Sequence, residues 1–479
     1  MGQLDPLFKP RSVAVIGASR GMTATGAPKL GTAAMKNLLD HGFGGAVHPV
    51  NPNETEMFGR TCVGRVQDID GNVDVALLVV PASACLDALR DCAAKGVKAA
   101  IVMSAGFAEA GHAELQNDLL ALARSAGIRL VGPNTAGFVN LHHRFTATIS
   151  MIGDMRPFVV GGVAFITQSG ALGGSMLGRG MEEGVGFSHW ITTGNQADLT
   201  AADYLEQLVD DPDAKVIALF LESVADPPKF ISACRRAVEM GKPVIVYKSG
   251  ASSVGAATSA SHTGALAGSH RIFSALCRQH GLVQVDDLAD LLPMARTFAW
   301  LGERLDLRRQ RARNIGIVSA SGGICSVAAD ECDLAGLCVP ELSAARQEEI
   351  RGYVPEFASV RNPVDVTGQI RSSATGYQDT VRAVMEDDAI DAGLLLVTMV
   401  AEPRASFYGR EIGKLATAAI KPIIVTWAGP LGLAKEGYPM LSASRVPVFA
   451  SVRGAVRALR ALEDFGAMHR RLECSGART

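Results

Sequence analysis

The chain has 479 residues, which suggests about three domains, and 48% of it is hydrophobic against 20% charged, with a formal net charge of -2. No basic excess and no polybasic run is present, which argues against nucleic acid or an anionic membrane surface as a partner. The 51 glycines and the low aromatic content of 5% suit the tight strand–helix turns of an α/β protein better than a β-sandwich.

The opening segment, "MGQLDPLFKPRSVAVIG", lacks the pattern of a signal peptide because a strand-like run begins almost at once. Pro6 stands where a myristoylation pattern requires Ser or Thr, and apolar runs such as "VALLVV" are far too short to span a bilayer. The nine cysteines are scattered without a C-x-x-C. They read as reduced, mostly buried thiols with no metal or redox role. The expectation is a soluble, cytoplasmic protein.

Over the first 150 residues, short apolar runs alternate with helical stretches. "SVAVIGAS" (12–19), "GAVHPVNP" (45–52), "VDVALLVVP" (73–81), "KAAIVMSAG" (98–106) and "IRLVGPN" (128–134) read as strands buried on both faces. Amphipathic segments such as "ACLDALRDCAAKG" (84–96) separate them, which predicts a parallel, doubly wound sheet. The turn "GASRGMTATGAPKLG" (17–31) suits a phosphate. It is not a G-x-G-x-x-G, and the second strand ends at Asn51 where an NAD ribose would require an acid. A nicotinamide-dependent oxidoreductase is therefore the weaker reading. "MIGDMRPFVVGG" (151–162) reads as a linker.

A second α/β series begins at "GVAFITQSGALGGSML" (162–177) and continues with "FSHWITTG" (187–194), "KVIALFLES" (215–223) and "PVIVYKSG" (243–250). The charged stretch "GERLDLRRQRARN" (302–314) separates it from a third series, "IGIVSASGGICSVAADE" (315–331), "DAGLLLVTMVAE" (391–402) and "KPIIVTWAGP" (421–430). The predicted architecture is three doubly wound, flavodoxin-like parallel-sheet domains over 1–150, 158–300 and 312–470. The second and third series present the same three features in the same order, which reads as one unit used twice. Their differences are chemical. Glu222 ends the middle strand of the first copy where the second has Thr398, and His262 follows the first copy's last strand where the second has no histidine. Ligands of open parallel sheets sit beyond the carboxyl ends of the strands, where both residues are expected.

Both copies also pass from a strand through a small-residue turn into a helix, "TQSGALGG" and "SASGGICS". Ser169 and Ser321 suit the N-cap, and Gly170, Gly322 and Gly323 leave amides free at a helix N-terminus, which attracts anions. The plainer role of those glycines is close packing of helix on strand. His262 lies in "SASHTGALAG" (259–268), among residues too small to cover an imidazole. A neutral imidazole, a carboxylate to fix its tautomer and two helix N-termini to hold phosphoryl oxygens make up a phosphohistidine site. The other histidines read as core or surface groups. His189 and His270 are the nearest rivals but lack a small-residue loop.

"SASHTGALAG", "FITQSGALGGS", "TTGNQADLTAADYL" and "VSASGGICSVAADE" together resemble the nucleoside-diphosphate-forming acyl-CoA synthetases, relatives of succinyl-CoA synthetase, across roughly residues 6–465. The resemblance implies synthesis of acyl-CoA from a carboxylate, CoA and ATP through an acyl phosphate and a phosphohistidine. By carry-over, His262 is the phosphorylated residue and Glu222 orients it. Ser169, Gly170 and Ala171 begin one phosphate-binding helix, and Ser321, Gly322 and Gly323 the other. The first domain resembles a CoA-binding domain, which places CoA across Gly17, Ser19, Lys29, Asn51, Pro52, Pro81, Ser104 and Gly106, with Asn134 of "GPNTAG" near the thiol. The carboxylate pocket is expected near Gly194, Asn195 and Gln196. Trp190 either extends that pocket or belongs to the core.

The family also uses an ATP-grasp domain. No Walker A pattern is present, and the chain ends at Thr479, just after the third series. The expectation is an α-type subunit in a hetero-oligomer, with ATP or ADP and Mg held by a separate ATP-grasp β subunit. A non-catalytic CoA-binding regulator of the same fold is the alternative from another functional class.

Overall fold

The protein is described by a computed structural model over residues 4–263, 268–373 and 375–476, with side chains over 4–258, 268–370, 373 and 375–474. It forms two compact units, Met1–Leu292 and Pro293–Thr479.

The first unit holds two large sheets and a two-stranded ribbon, Glu56–Met57 with Arg60–Thr61. In the first sheet β1 (Ser12–Ile16), β2 (Ala46–Val50), β3 (Val75–Leu78), β4 (Ala99–Val102) and β5 (Arg129–Val131) run in the order β2-β1-β3-β4-β5, and every pairing is parallel. The strands are covered on both faces, so β1, β3 and β4 are buried at every position, as parallel strands require. Helices α1 (Leu30–Asp40), α2 (Ala82–Lys95) and α3 (Ala113–Ala126) connect them. The last two stop at left-handed glycines, Gly96 and Gly127, which close a helix without a Cβ penalty. Strand order reverses between β1 and β3, and ligands of doubly wound sheets bind at that switch point.

The second sheet has seven strands: β6 (Gly137–Asn140), β7 (Phe145–Thr148), β8 (Val160–Thr167), β9 (Phe187–Thr192), β10 (Val216–Leu221), β11 (Val244–Lys248) and β12 (Val283–Gln284), in the order β12-β11-β10-β8-β9-β6-β7. The five from β8 to β12 are parallel, whereas the β6–β7 hairpin adds antiparallel to β9. The connecting helices are α4 (Gly170–Glu182), α5 (Ala201–Asp210), α6 (Pro227–Glu239) and α7 (Ser253–Thr263). Legible stop and start signals set their ends: Thr200 and Asp203 form a capping box on α5, and Asp226 with Pro227 opens α6.

This hairpin lies inside the first 150 residues yet pairs in the second sheet, so the division placed at 150 follows an element that already belongs to the next layer. The physical reason is its buried aromatic face. Phe138 stands 4.9 Å edge-on from Phe8, 6.1 Å from Phe145 and 6.4 Å from Tyr204, and all four are fully buried. One continuous core therefore takes in side chains of both sheets, from Val13 and Leu77 to Ile166 and Leu219. The segment read as a linker is also ordered: Met151–Asp154 makes one 3-10 turn and Val160 opens β8.

The second unit repeats the same parallel array. Strands β13 (Ile315–Ser319), β14 (Val364–Asp365), β15 (Ala392–Val397), β16 (Ile423–Trp427) and β17 (Val448–Phe449) run β14-β13-β15-β16-β17, with α8 (Gly322–Leu334) after the first. Counted within its own series, each of the three parallel arrays has the order second, first, third, fourth, fifth. The repeat read from the sequence is thus a repeat of topology. Among the described residues no helix is long and apolar enough to cross a membrane.

Phe138→Ala is expected to lower the stability of the first unit by about 3–5 kcal/mol, read as an earlier urea midpoint, because it empties the junction of both sheets.

Candidate functional site

The carboxyl ends of both sheets of the first unit border a cavity of about 670 Å³. It brings together residues far apart in sequence. Ser104 and Asn134 reach it from the first sheet, Ser169, Gly170 and Ala171 from the start of α4, Gly194, Asn195 and Gln196 from beyond β9, and Glu222 from beyond β10.

Glu222 follows the last residue of β10 and is only 8% exposed. Its position is fixed from both sides. Gln168, the residue after β8, accepts the Glu222 amide and the Ser223 amide (2.9 Å) on Oε1, and donates Nε2 to the Ser223 carbonyl at 2.9 Å. Lys248, the last residue of β11, donates Nζ to the carbonyls of Glu222 (2.9 Å) and Ser249 (2.8 Å). Burial lowers the Lys248 pKa and the Glu222 charge opposes that shift.

Ser169 caps α4 as expected, its hydroxyl accepting from the Leu172 amide at 3.4 Å. Thr167 buttresses the turn by accepting from the Ser169 amide (3.2 Å) and donating to the Ser169 carbonyl (3.0 Å). The first turn of α4 therefore presents its amides and positive pole to the cavity.

The opposite wall is held by left-handed backbone. Gly194 has φ +57°, and a Cβ there would lie 2.2 Å from the Pro133 carbonyl oxygen. Asn134 (φ 58°) and Gln196 (φ 55°) adopt the same rare conformation, and such residues concentrate at functional sites. The Gln196 side chain accepts from the Ala201 amide at 2.9 Å, so it caps α5. Asn195 donates to Glu109 and to Gln116 (3.0 Å), and its oxygen accepts from Asn134 at 3.4 Å. Burial raises the Glu109 pKa, but hydrogen bonds from Asn195 and from the Gly106 and Phe107 amides outweigh it and hold the carboxyl below its ordinary value.

The remaining residues expected to hold CoA cluster at the switch point of the first sheet. Gly17 (φ +87°) touches the Val79 and Val80 region, and Gly31 has no room for a Cβ because the Gly17 carbonyl lies 2.2 Å away. This contact places the start of α1 against the end of β1. Thr32 donates to the Ser19 carbonyl, and Ser104 donates to the Val80 carbonyl. Asn51 spends its side chain on its own surroundings, donating to the Ala18 carbonyl (2.6 Å) and accepting from the Asn53 amide (2.9 Å). Lys29 is an exposed residue at the N-cap of α1, Pro52 and Pro81 are exposed, and Gly106 (φ +105°) abuts Ala82.

Ser321, Gly322 and Gly323 belong to the second unit. Ser321 occupies the N-cap of α8, but its hydroxyl forms no cap bond, and its amide instead donates to Ser319 at 3.2 Å. A Cβ on Gly322 would lie 2.9 Å from an Asp365 carboxylate oxygen, so a carboxylate already stands beside this helix end. The His262 side chain lies outside the described ones. Its helix, α7, follows β11, the neighbour of the strand that ends before Glu222.

His189 is fully buried against Phe8. Burial pushes its pKa down to about 4 against the pull of Asp211, so it is a neutral core group. Trp190 is fully buried and is not part of the cavity wall. Seven of the nine free cysteines are buried. Sequence reasoning passed over Gln168, Lys248 and Glu109. Aligning the two copies residue by residue would have exposed the first two.

Three family models match in chain order: a CoA binding domain (11–140), a succinyl-CoA ligase like flavodoxin domain (160–298) and a Ligase-CoA domain (315–461). The α subunit of ADP-forming acetate–CoA ligase II of Pyrococcus furiosus is 36% identical over 422 residues, 88% of this chain and 87% of its own. The chain belongs to the ADP-forming acyl-CoA synthetase family. ADP-forming acetate–CoA ligase I of Archaeoglobus fulgidus is 34% identical over 96% of this chain, which spans 63% of that relative's length. Among solved members of the family, a dinucleotide forming acetyl-coenzyme A synthetase 1 from Ca. Korarchaeum cryptofilum, in complex with phosphate and ADP, superposes with a TM-score of 0.88 at 31% identity, covering 98% of both chains.

Gly194→Ala is expected to cost roughly 1–3 kcal/mol and to displace the cavity wall, read as lowered stability together with weakened CoA binding by calorimetry. The His189 pKa of about 4 lies below its ordinary 6.5. The unfolded chain therefore takes up this proton first as pH falls, and stability is lost from pH 6.5 down toward 4. Over that window the urea stability of wild type should fall about 1.4 kcal/mol per pH unit more steeply than that of His189→Gln.

Proposed function

We propose that this chain is the α-type part of an ADP-forming carboxylate–CoA ligase that joins a small carboxylic acid to CoA, carrying the phosphoryl group on His262. The observation that carries the reading is the convergence of Glu222, the α4 N-terminus and the 104 and 134 loops of the CoA-binding sheet on one cavity. A cavity of about 670 Å³ lies within the range of small-molecule sites and suits the end of a pantetheine arm beside a small acid.

The roles follow from charge and position. The Glu222 carboxylate accepts one imidazole N–H of His262, fixing the tautomer and leaving the other nitrogen free to attack phosphorus. The free amides at the start of α4, capped by Ser169, take the phosphoryl oxygens and offset their charge with the helix dipole. In the synthetic direction a carboxylate oxygen attacks the phosphohistidine phosphorus. The P–O bond forms, the P–N bond breaks, and His262 returns neutral. The CoA thiolate then attacks the acyl carbon, the C–S bond forms, and inorganic phosphate leaves with the C–O electrons. Recharging His262 from ATP, with release of ADP, falls to an ATP-grasp β subunit with Mg, in a hetero-oligomer. The near-complete match to an α subunit supports that division.

The reverse half-reaction tests the site without the nucleotide partner. The chain is incubated with radiolabelled phosphate and a panel of acyl-CoA thioesters. The expected result is an acid-labile, base-stable label in wild type, none in His262→Asn, and roughly 100-fold slower labelling in Glu222→Gln. If wild type takes no label from any thioester, nor from ATP with an ATP-grasp subunit, while still binding CoA, the chain is a CoA-binding regulator.

A further inference from the structure

The two units allow a comparison inside one molecule. Sheet register fixes which positions correspond. Thr167 of β8 pairs with Phe220 and Thr192, and Ser319 of β13 pairs with Leu396 and Asp365. Leu221 pairs with Lys248 in the first unit, and Val397 pairs with Trp427 in the second. Stepping one residue past Thr167 and Ser319 matches Gln168 with Ala320, and one past Leu221 and Val397 matches Glu222 with Thr398. Lys248 matches Trp427.

Three polar groups around one strand end are therefore replaced together by Ala320, Thr398 and Trp427, in the copy that also lacks a histidine between its fourth and fifth strands. The parallel array and strand order survive those replacements, and Trp427 is 2% exposed in its place. The fold needs neither Gln168 nor Lys248 at these positions. Lys248 is moreover 3% exposed, and burying an ammonium costs far more than burying an indole. A role in folding alone leaves that cost without a return.

What the two side chains share is the Glu222 peptide. Gln168 accepts its N–H and Lys248 donates to its C=O. β10 ends at Leu221, so Glu222 lies past the last residue of its strand and its backbone groups are taken by side chains. Gln168 also takes both backbone groups of Ser223, which is 7% exposed, whereas the corresponding Met399 is 75% exposed. We infer that Gln168 and Lys248 are positioning residues: they clamp the Glu222 peptide so that its carboxylate is aimed at the phosphorylated imidazole, and Lys248 sets a buried positive charge beside that peptide. The inference rests on His262 being the phosphorylated residue.

The test is a double-mutant cycle on the labelling reaction from acyl-CoA and radiolabelled phosphate. Lys248→Met preserves chain length and removes the charge, and Gln168→Leu removes the amide. Each is expected to slow His262 labelling by about 100-fold at saturating substrate, with half-saturating concentrations unchanged within twofold. Combined with Glu222→Gln, neither should slow the reaction further, because both act through that carboxylate. Additive losses in the double variants, or wild-type labelling rates in both single variants, overturn the inference and leave the phosphohistidine reading standing. Absence of label in wild type instead overturns the phosphohistidine reading, and the inference with it. If Lys248→Met does not fold, Lys248→Gln, which keeps donors to both carbonyls without the charge, is expected to fold and to show the same non-additive loss.

Discussion

A single buried carboxylate organises the site. Glu222 emerges from the carboxyl end of a central parallel strand at 8% exposure, and backbone groups buried past a strand end need fixed hydrogen-bond partners in place of water. The surrounding architecture supplies them in layers. Gln168 and Lys248 hold the peptide that bears it, the capped start of α4 presents amides to the cavity it borders, and the parallel sheet brings all of these to one edge. Remove the strand order β11-β10-β8, and Lys248, Glu222 and Gln168 no longer stand on adjacent strands.

The same constraint explains why the first two sheets share a core. A site that joins CoA to an acid needs its thiol-bearing end and its phosphoryl-bearing end held within a few ångströms, and positional error of that size carries a steep rate cost. The β6–β7 hairpin leaves the first sheet's series and pairs on β9, while Phe138 knits it to Phe8 and Tyr204. The 194–199 segment runs back along the 130–133 backbone, with amides of Asn195, Ala197 and Leu199 donating to Pro133, Gly132 and Leu130. Left-handed Asn134, Gly194 and Gln196 sit at this seam, where one chain must turn sharply beside another.

Much of this was legible in the residues. Continuous apolar runs announced the parallel strands, and Ser169 announced its helix cap. The absent acid after β2 argued against a nicotinamide-dependent oxidoreductase, and the order of motifs announced the repeat. What escaped did so for physical reasons. The β6–β7 hairpin carries no period that separates it from the preceding strand series, because its register partner lies some fifty residues on. Gln196 and Asn51 also satisfy backbone amides and carbonyls nearby, which a one-dimensional reading cannot see. Lys248 looked like one more charged residue at a strand end. Only the register shows that it touches Glu222.

The repeat also shows how one structural device serves two ends. Both units place a glycine at the first turn of the helix after their first strand, and both helices carry a positive pole there. In the second unit Asp365, at the end of the neighbouring strand, stands beside that pole, close enough that a Cβ on Gly322 would meet its carboxylate at 2.9 Å. In the first unit the position paired with the strand end is Thr192, a buried neutral hydroxyl engaged with Thr135 at 2.6 Å. The second copy thus sets a carboxylate beside its helix end, which weakens the pull on any further anion there. The first leaves the α4 pole facing a cavity, and an external anion can complete it there. A repeat that preserves topology but holds Asp365 where the first copy has Thr192 gives the two helix ends different surroundings, one facing a cavity and one beside a carboxylate.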